Sequence, residues 1–250
     1  MLIASVALFI FLKIRNINFH PPRKILIKVL FVGLLVAIHW ILFFYAIKVS
    51  NVSVTLGCFS SIALFTSLLE PIFHRRKILW MEFMLGTIVI IGIYIIFQFE
   101  TKYAYGIILA TLSAFIGSLF FVINGNLIKQ HPALTISFYE LLSGFIGITI
   151  FRFFQNENNF TLLISFSDWM YLLILGIICT AYAFMKTTDL MNHLTPFHIT
   201  LTINLEPIYG IILAFFIFGE SERMTTGFYF GTLIILIAVF VYPFMKRKSD

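Results

Sequence analysis

The chain has 250 residues, 60% of them apolar and 11% charged, with a mean hydropathy of +1.01. So much apolar sequence excludes a soluble globular domain and calls for a polytopic bundle of membrane-spanning helices; continuous apolar runs, rather than short alternating segments, exclude a β-barrel. The net charge of +6 comes mainly from Lys and Arg in short loops beside those runs, the pattern that orients membrane helices, so nucleic acid is excluded as a partner.

The first dozen residues, Met1 to Leu12, are apolar but well short of the roughly 20 needed to span. They read as the tail of a helix whose beginning is missing. A basic loop around Pro21-Pro22 follows. Full apolar runs then occupy residues 27–47, 52–73, 78–98, 104–128, 133–154, 168–188, 196–218 and 224–245. Eight spans and the stub give about nine segments. The longest polar connection runs from 155 to 168. Cys58 and Cys179 lie inside apolar runs and read as packing residues.

Counting Lys and Arg on alternate sides tests this order. Lys48, Lys102, Arg152 and Arg223 fall on one side, and the other 13 of the 17 fall opposite. That bias predicts a cytoplasmic C-terminus, with residues 246–250 as a cytoplasmic tail. It also predicts that one transmembrane helix is missing ahead of the stub.

The 27–47 run carries His39 and Trp40 with Phe43, Phe44 and Tyr45. An intramembrane His serves as a proton relay, a ligand contact or a hydrogen-bonder between helices. In the 133–154 run, Ser137, Glu140, Ser143, Gly144 and Gly147 recur at spacings of three and four and share a helical face, with Tyr139 beside them. Gly106, Ala110, Ser113, Gly117 and Asn124 form a similar stripe in the 104–128 run. Small residues at this spacing let helices pack closely, whereas a buried acid such as Glu140 more often has a function. Lys186 and Asp189, a turn apart, read as an ion pair at a membrane edge.

The 196–218 run contains Asn204-Leu205-Glu206-Pro207-Ile208-Tyr209-Gly210. A charged acid at such depth costs roughly 2.5–3.5 kcal/mol on insertion scales, so Glu206 is expected to face a cavity or to stay protonated. Pro207 has no N–H, so the Ile203 carbonyl loses its normal helical partner and is expected to be a free acceptor. Thr202, Tyr209 and Gly210 would share the Glu206 face, and Gly210 with Ala214 would form a close-packing strip.

The chain also repeats itself weakly. Leu-Glu-Pro-Ile occurs at 69–72 and 205–208, an offset of 136, whereas matching helix starts gives about 143. Five-helix halves, an odd number, would insert in opposite senses. That predicts the inverted-repeat plan of many secondary transporters, with a site near mid-membrane. The expected division is 1–98 for a first repeat lacking its first helix and 104–245 for the second.

Leu205-Glu206-Pro207-Ile208-Tyr209-Gly210, ending in Phe218-Gly219-Glu220, resembles the EamA-like family of the drug/metabolite transporter superfamily. The first half agrees, through His39-Trp40, Phe43-Phe44-Tyr45-Ala46-Ile47-Lys48, Ser50-Asn51-Val52-Ser53 and Leu69-Glu70-Pro71. The resemblance implies an all-α, ten-helix carrier of 5+5 inverted repeats in the cytoplasmic membrane. It implies export of small organic metabolites such as amino acids, or of drugs, by alternating access. Glu206, Pro207, Glu140, His39, Trp40, Tyr139, Asn204 and Tyr209 are the candidate substrate-binding or coupling residues, with protons a candidate coupling ion. No cofactor, metal or enzymatic motif is expected. A non-transporting subunit or scaffold, or a membrane enzyme acting on lipid-linked substrates, are the alternatives.

Overall fold

The computed structural model of the chain describes residues 1–17, 20–73, 80–154 and 165–246. Among these there is no strand. The helices are α1 (Leu2–Ile14), α2 (Arg23–Val49), α3 (Val52–Phe59), α4 (Ile62–Phe73), α5 (Trp80–Phe99), α6 (Ala104–Leu127) and α7 (Ala133–Phe154). Then come α8 (Phe166–Ile174), π-helical turns at Leu175–Tyr182, α9 (Ala183–Leu190), α10 (Pro196–Ile203), α11 (Glu206–Phe218) and α12 (Thr226–Lys246). Among the described residues, six segments have the length and apolarity to cross a membrane, and Leu2–Ile14, Met84–Phe99 and Thr226–Val241 are shorter apolar helices. The protein is a polytopic helix bundle. Arg75, Arg76 and Lys77, most of the 155–168 connection and most of the C-terminal tail lie outside the described residues.

Three of the spans are not single straight helices. The 52–73 run breaks at Ser60-Ser61, where Ser60 Oγ donates to the Gly57 carbonyl and Ser61 Oγ to that of Cys58, at 2.5 and 2.7 Å. These hydroxyls bond backbone acceptors of the preceding turn and so compete with the helical ladder. The 196–218 run breaks at Asn204-Leu205, and the 166–190 run loosens into π-helical turns. The starts of α3 and α10, Val52 and Pro196, are 144 residues apart, as are those of α4 and α11, Ile62 and Glu206. This spacing lies near the offset of about 143 expected from helix starts and differs from the 136 of the shared tetrapeptide.

The chain forms two compact units, each drawing on both halves of the sequence. Unit 1 is Met1–Ala37 with Ile123–Thr195, and unit 2 is Ile38–Val122 with Pro196–Asp250. In unit 1, α2 and α7 approach backbone to backbone. A methyl on Gly33 would strike the Glu140 carbonyl, one on Gly144 would lie 3.0 Å from the Gly33 carbonyl, and Ser143 Oγ donates to the Leu30 carbonyl at 2.7 Å. The small-residue face of α7 is therefore a packing surface here, as its spacing predicts. The rings of Phe9 and Phe138 bring α1 against α7, with centroids 5.7 Å apart.

In unit 2, α5 and α12 cross where Gly92 and Gly231 face each other, each leaving about 3 Å between a would-be Cβ and the opposing carbonyl. Val89, Ile96, Phe228 and Ile235 fill the seam around them. Gly210 of α11 packs on Leu56 of α3, and Ala214 is buried, as the close-packing strip requires. Gly219 ends α11 at φ 62°, ψ −132°, a conformation open only to glycine without strain.

The entrance of α3 is capped from both sides. Asn51 accepts from Val54 N–H at 2.9 Å, and the buried Glu222 carboxylate accepts from Val52 and Ser53 N–H at 3.0 and 2.8 Å. At the entrance of α12, buried Glu100 accepts from Thr225 N–H at 2.8 Å. Free N–H groups and the positive end of the helix dipole favour a carboxylate at both places.

Candidate functional site

The candidate residues divide between the units. Glu140 and Tyr139 belong to unit 1; His39, Trp40, Asn204, Glu206, Pro207 and Tyr209 belong to unit 2.

In unit 1, Glu140 is fully buried. Its Oε2 accepts from Asn124 Nδ2 of α6 at 3.2 Å, and its Oε1 makes no hydrogen bond. Asn124 Oδ1 and Ser137 Oγ are likewise buried without a partner. Ser137 and Glu140 are three residues apart, one above the other on the face of α7. The outcome is a buried polar cluster in which three oxygens have no partner among the protein's own groups, unusual where nearly every buried polar atom is paired. Tyr139, half-buried, stacks edgewise on Phe138 at 4.9 Å.

In unit 2, the two broken helices meet at their breaks. Asn204 is fully buried and its Nδ2 donates to the Ser60 carbonyl at 2.8 Å, while its Oδ1 has no partner. Ser60 and Asn204 are themselves 144 residues apart, the spacing of the helix starts. The bond gives an acceptor at one interruption a donor from the other, as backbone freed inside a membrane requires.

Pro207 corrects its expected role. It does not kink a continuous helix. It sits in the first turn of a new helix, where its fixed φ suits helix initiation and its missing N–H costs nothing. Thr202 then belongs to α10 and Tyr209 and Gly210 to α11, so the break divides their expected common face. Glu206 lies beside the dipole-positive start of α11. Its side chain is exposed and makes no hydrogen bond or ion pair among the described residues, and Tyr209 is also exposed, at 61%.

His39 is buried between α2 and α6. Its Nδ1 lies 2.8 Å from Ser113 Oγ and 3.0 Å from the Ser113 carbonyl, and Ser113 Oγ donates back to the His39 carbonyl at 3.0 Å. A carbonyl can only accept, so this network assigns the ring proton to Nδ1. Nε2 is left among the rings of Phe43, Phe59 and Phe120, whose centroids lie 5.2 to 6.2 Å from one another or from the imidazole. Of the roles open to it in the sequence, His39 thus fills the inter-helix hydrogen bond. Gly117 makes room for the ring, since a Cβ there would come within 3.3 Å of Nδ1. Trp40 is half-buried, with its ring edge-on to Phe44 at 6.5 Å.

Glu222 and Glu100 went unremarked in the sequence, because their partners are 169 and 125 residues away and no local pattern announces such a cap. Asn124 and Ser137 were visible only as members of small-residue stripes. Lys186 and Asp189 do not form the expected ion pair: Asp189 accepts from Asn192 Nδ2 at 3.2 Å instead.

A many-span bundle with interrupted helices and buried, half-satisfied polar groups has the features of a membrane transport protein. The family comparison agrees. The model of the EamA-like transporter family matches residues 1–98 and 104–242, nearly the whole chain, and the chain belongs to that family. It is therefore a multi-pass membrane transporter of the drug/metabolite type. No curated protein matches the sequence significantly. One solved structure, described only as "Crystal structure of protein", superposes with a TM-score of 0.69 at 13% identity, covering 99% of this chain and 86% of its own. At that identity it shows the shared fold alone.

Proposed function

We propose that the protein is a secondary carrier that exports small organic metabolites, amino acids among them, across the cytoplasmic membrane by alternating access, with its C-terminus in the cytoplasm. The observation that carries this reading is the Glu140–Asn124–Ser137 cluster. Acids are kept inside membrane bundles against their burial cost where they meet a substrate or a proton, and Glu140 has one oxygen committed to Asn124 and one uncommitted. Residues 1–98 and 104–245 act as inverted repeats in this reading, with substrate held between them. The 144-residue offset and the meeting of the two breaks support it. Glu206, exposed at the start of α11 with Tyr209 one turn on, is a second contact for a polar substrate. Pro207, Asn204, His39 and Trp40 keep their assigned neighbourhoods as positioning groups, and Tyr139 flanks Glu140.

Reconstitution of the purified chain in liposomes with a panel of amino acids and other metabolites tests this. Saturable movement of at least one of them is expected, and Glu140→Gln is expected to reduce it by at least ~tenfold, about 1.4 kcal/mol. Glu206→Gln should raise the half-saturating substrate concentration and leave the maximal rate. Liposomes that move nothing across the panel would return the scaffold reading. Rates unchanged in Glu140→Gln would remove the cluster from the mechanism. Proton movement recorded on substrate addition identifies the coupling ion.

A further inference from the structure

The α1 helix and the π-helical turns of unit 1 enclose a cleft that the transport reading does not use. They touch closely at one end, where a Cβ on Gly176 would lie 2.7 Å from Ile3. From there they part, leaving about 500 Å³ lined by Ala7, Leu8, Phe11, Ile177, Ala181, Tyr182 and Met185, with Arg15 and Lys186. On each helix the lining recurs at near four-residue intervals and ends in a cation. Eight residues separate Ala7 from Arg15 and nine separate Ile177 from Lys186, so each stripe runs roughly 12 Å and both cations lie at the open end.

Arg15 lies over the Phe11 ring at 5.2 Å, and neither it nor Lys186 has an acidic partner among the described residues. The open end leads into a second space of about 530 Å³, which adds Lys129 and His131 and whose one acid, Asp189, is bonded to Asn192. The outer faces of both helices carry exposed Ile10, Ile14, Ile174 and Ile178, as a surface bathed in acyl chains does. All the cations of the cleft fall on the Lys/Arg-rich side of the charge count, the side of the anionic leaflet.

We infer that this cleft is a binding site for an anionic phospholipid, its phosphate held between Arg15 and Lys186 and one acyl chain laid along the apolar stripe toward Gly176. Arginine's fork takes two phosphate oxygens at once and lysine supplies a point charge. A zwitterionic lipid fits the apolar stripe equally but carries its own cation to the two already present. The tapered, one-ended shape suits a long amphiphile better than a compact metabolite.

The full chain, purified in mild detergent, is offered equal amounts of phosphatidylglycerol and phosphatidylcholine, and the retained lipids are counted by native mass spectrometry. Phosphatidylglycerol should be retained at least ~tenfold over phosphatidylcholine, and R15Q/K186Q should abolish that preference. K48Q/R223Q, at cations on the opposite side of the charge count, should preserve it. A181W fills the cleft while leaving both charges, and should lower retention of either lipid. In the unaltered chain, phosphatidylglycerol with a photoactivatable acyl chain should label residues 7–11 and 177–182. Equal retention of the two lipids overturns the proposal, as does a preference that survives R15Q/K186Q or A181W. Labelling confined to other segments overturns it too. Displacement of the lipid by an equal concentration of glycerol phosphate would assign the site to a free phosphate and overturn it.

Discussion

Glu140 of unit 1 and Glu222 of unit 2 are both buried carboxylates, and their surroundings could hardly differ more. Glu222 uses both oxygens, each on a backbone N–H at the open end of α3. Glu140 uses one oxygen on an amide side chain and leaves the other idle beside two further unpaired atoms. The first arrangement is complete within the protein, so its charge is balanced by groups that folding puts in place. The second leaves one oxygen without a partner among the protein's groups. Burial alone is therefore shared by the two acids, and the state of their hydrogen bonding separates them.

Substitutions can break this contrast, beginning with the largest effect on stability. Glu222→Ala orphans two buried N–H groups that now make charge-assisted bonds and should cost about 3 kcal/mol. Thermal unfolding in detergent should show a clear drop in midpoint, with Glu222→Gln falling between the two; an unchanged midpoint for the alanine variant would show that the cap contributes nothing. Gly33→Ala drives a methyl onto the Glu140 backbone, which cannot swing aside as a side chain would, and should cost about 2 kcal/mol. Asn204→Ala strands the Ser60 carbonyl but also removes the unpaired Oδ1, so its net cost should be nearer 1 kcal/mol. Glu140→Gln should be smallest, within about 0.5 kcal/mol of the parent, because an amide oxygen can still accept from Asn124. Its signature is the opposite of Glu222→Ala: an intact fold with transport lost. A large loss of stability in Glu140→Gln would make the two acids alike and erase the distinction.

Much of the fold was legible because bilayer thickness fixes how long an apolar run must be. The expected run 133–154 coincides with α7, and 104–128 exceeds α6 by one residue. The interruptions were harder. Ser60-Ser61 signals a break only weakly, since serine hydroxyls can compete with the helical ladder but are also tolerated inside helices, and no proline follows within a turn. At Pro207 the signal was present but ambiguous: a proline within an apolar run means either a kink or a beginning, and only the position of the previous turn decides. The π-helical turns at Leu175–Tyr182 left no mark in hydropathy, which is blind to a one-residue change in ladder spacing. At the candidate site, Glu140 stood out by its charge, but Asn124 did not, because its partnership depends on how α6 meets α7. Lys186 was misread for a similar reason. Spacing put it within reach of Asp189, whereas the backbone turn after α9 offers that acid Asn192.

The bond from Asn204 to Ser60 joins two positions that correspond under the same 144-residue shift that carries α3 onto α10 and α4 onto α11. The bond pins the two interruptions to each other at one point, so that neither broken helix can shift at its break without the other. It also couples two distant stretches of sequence, since losing the side-chain amide at 204 leaves the backbone carbonyl at 60 without its donor, whatever side chain stands at 60.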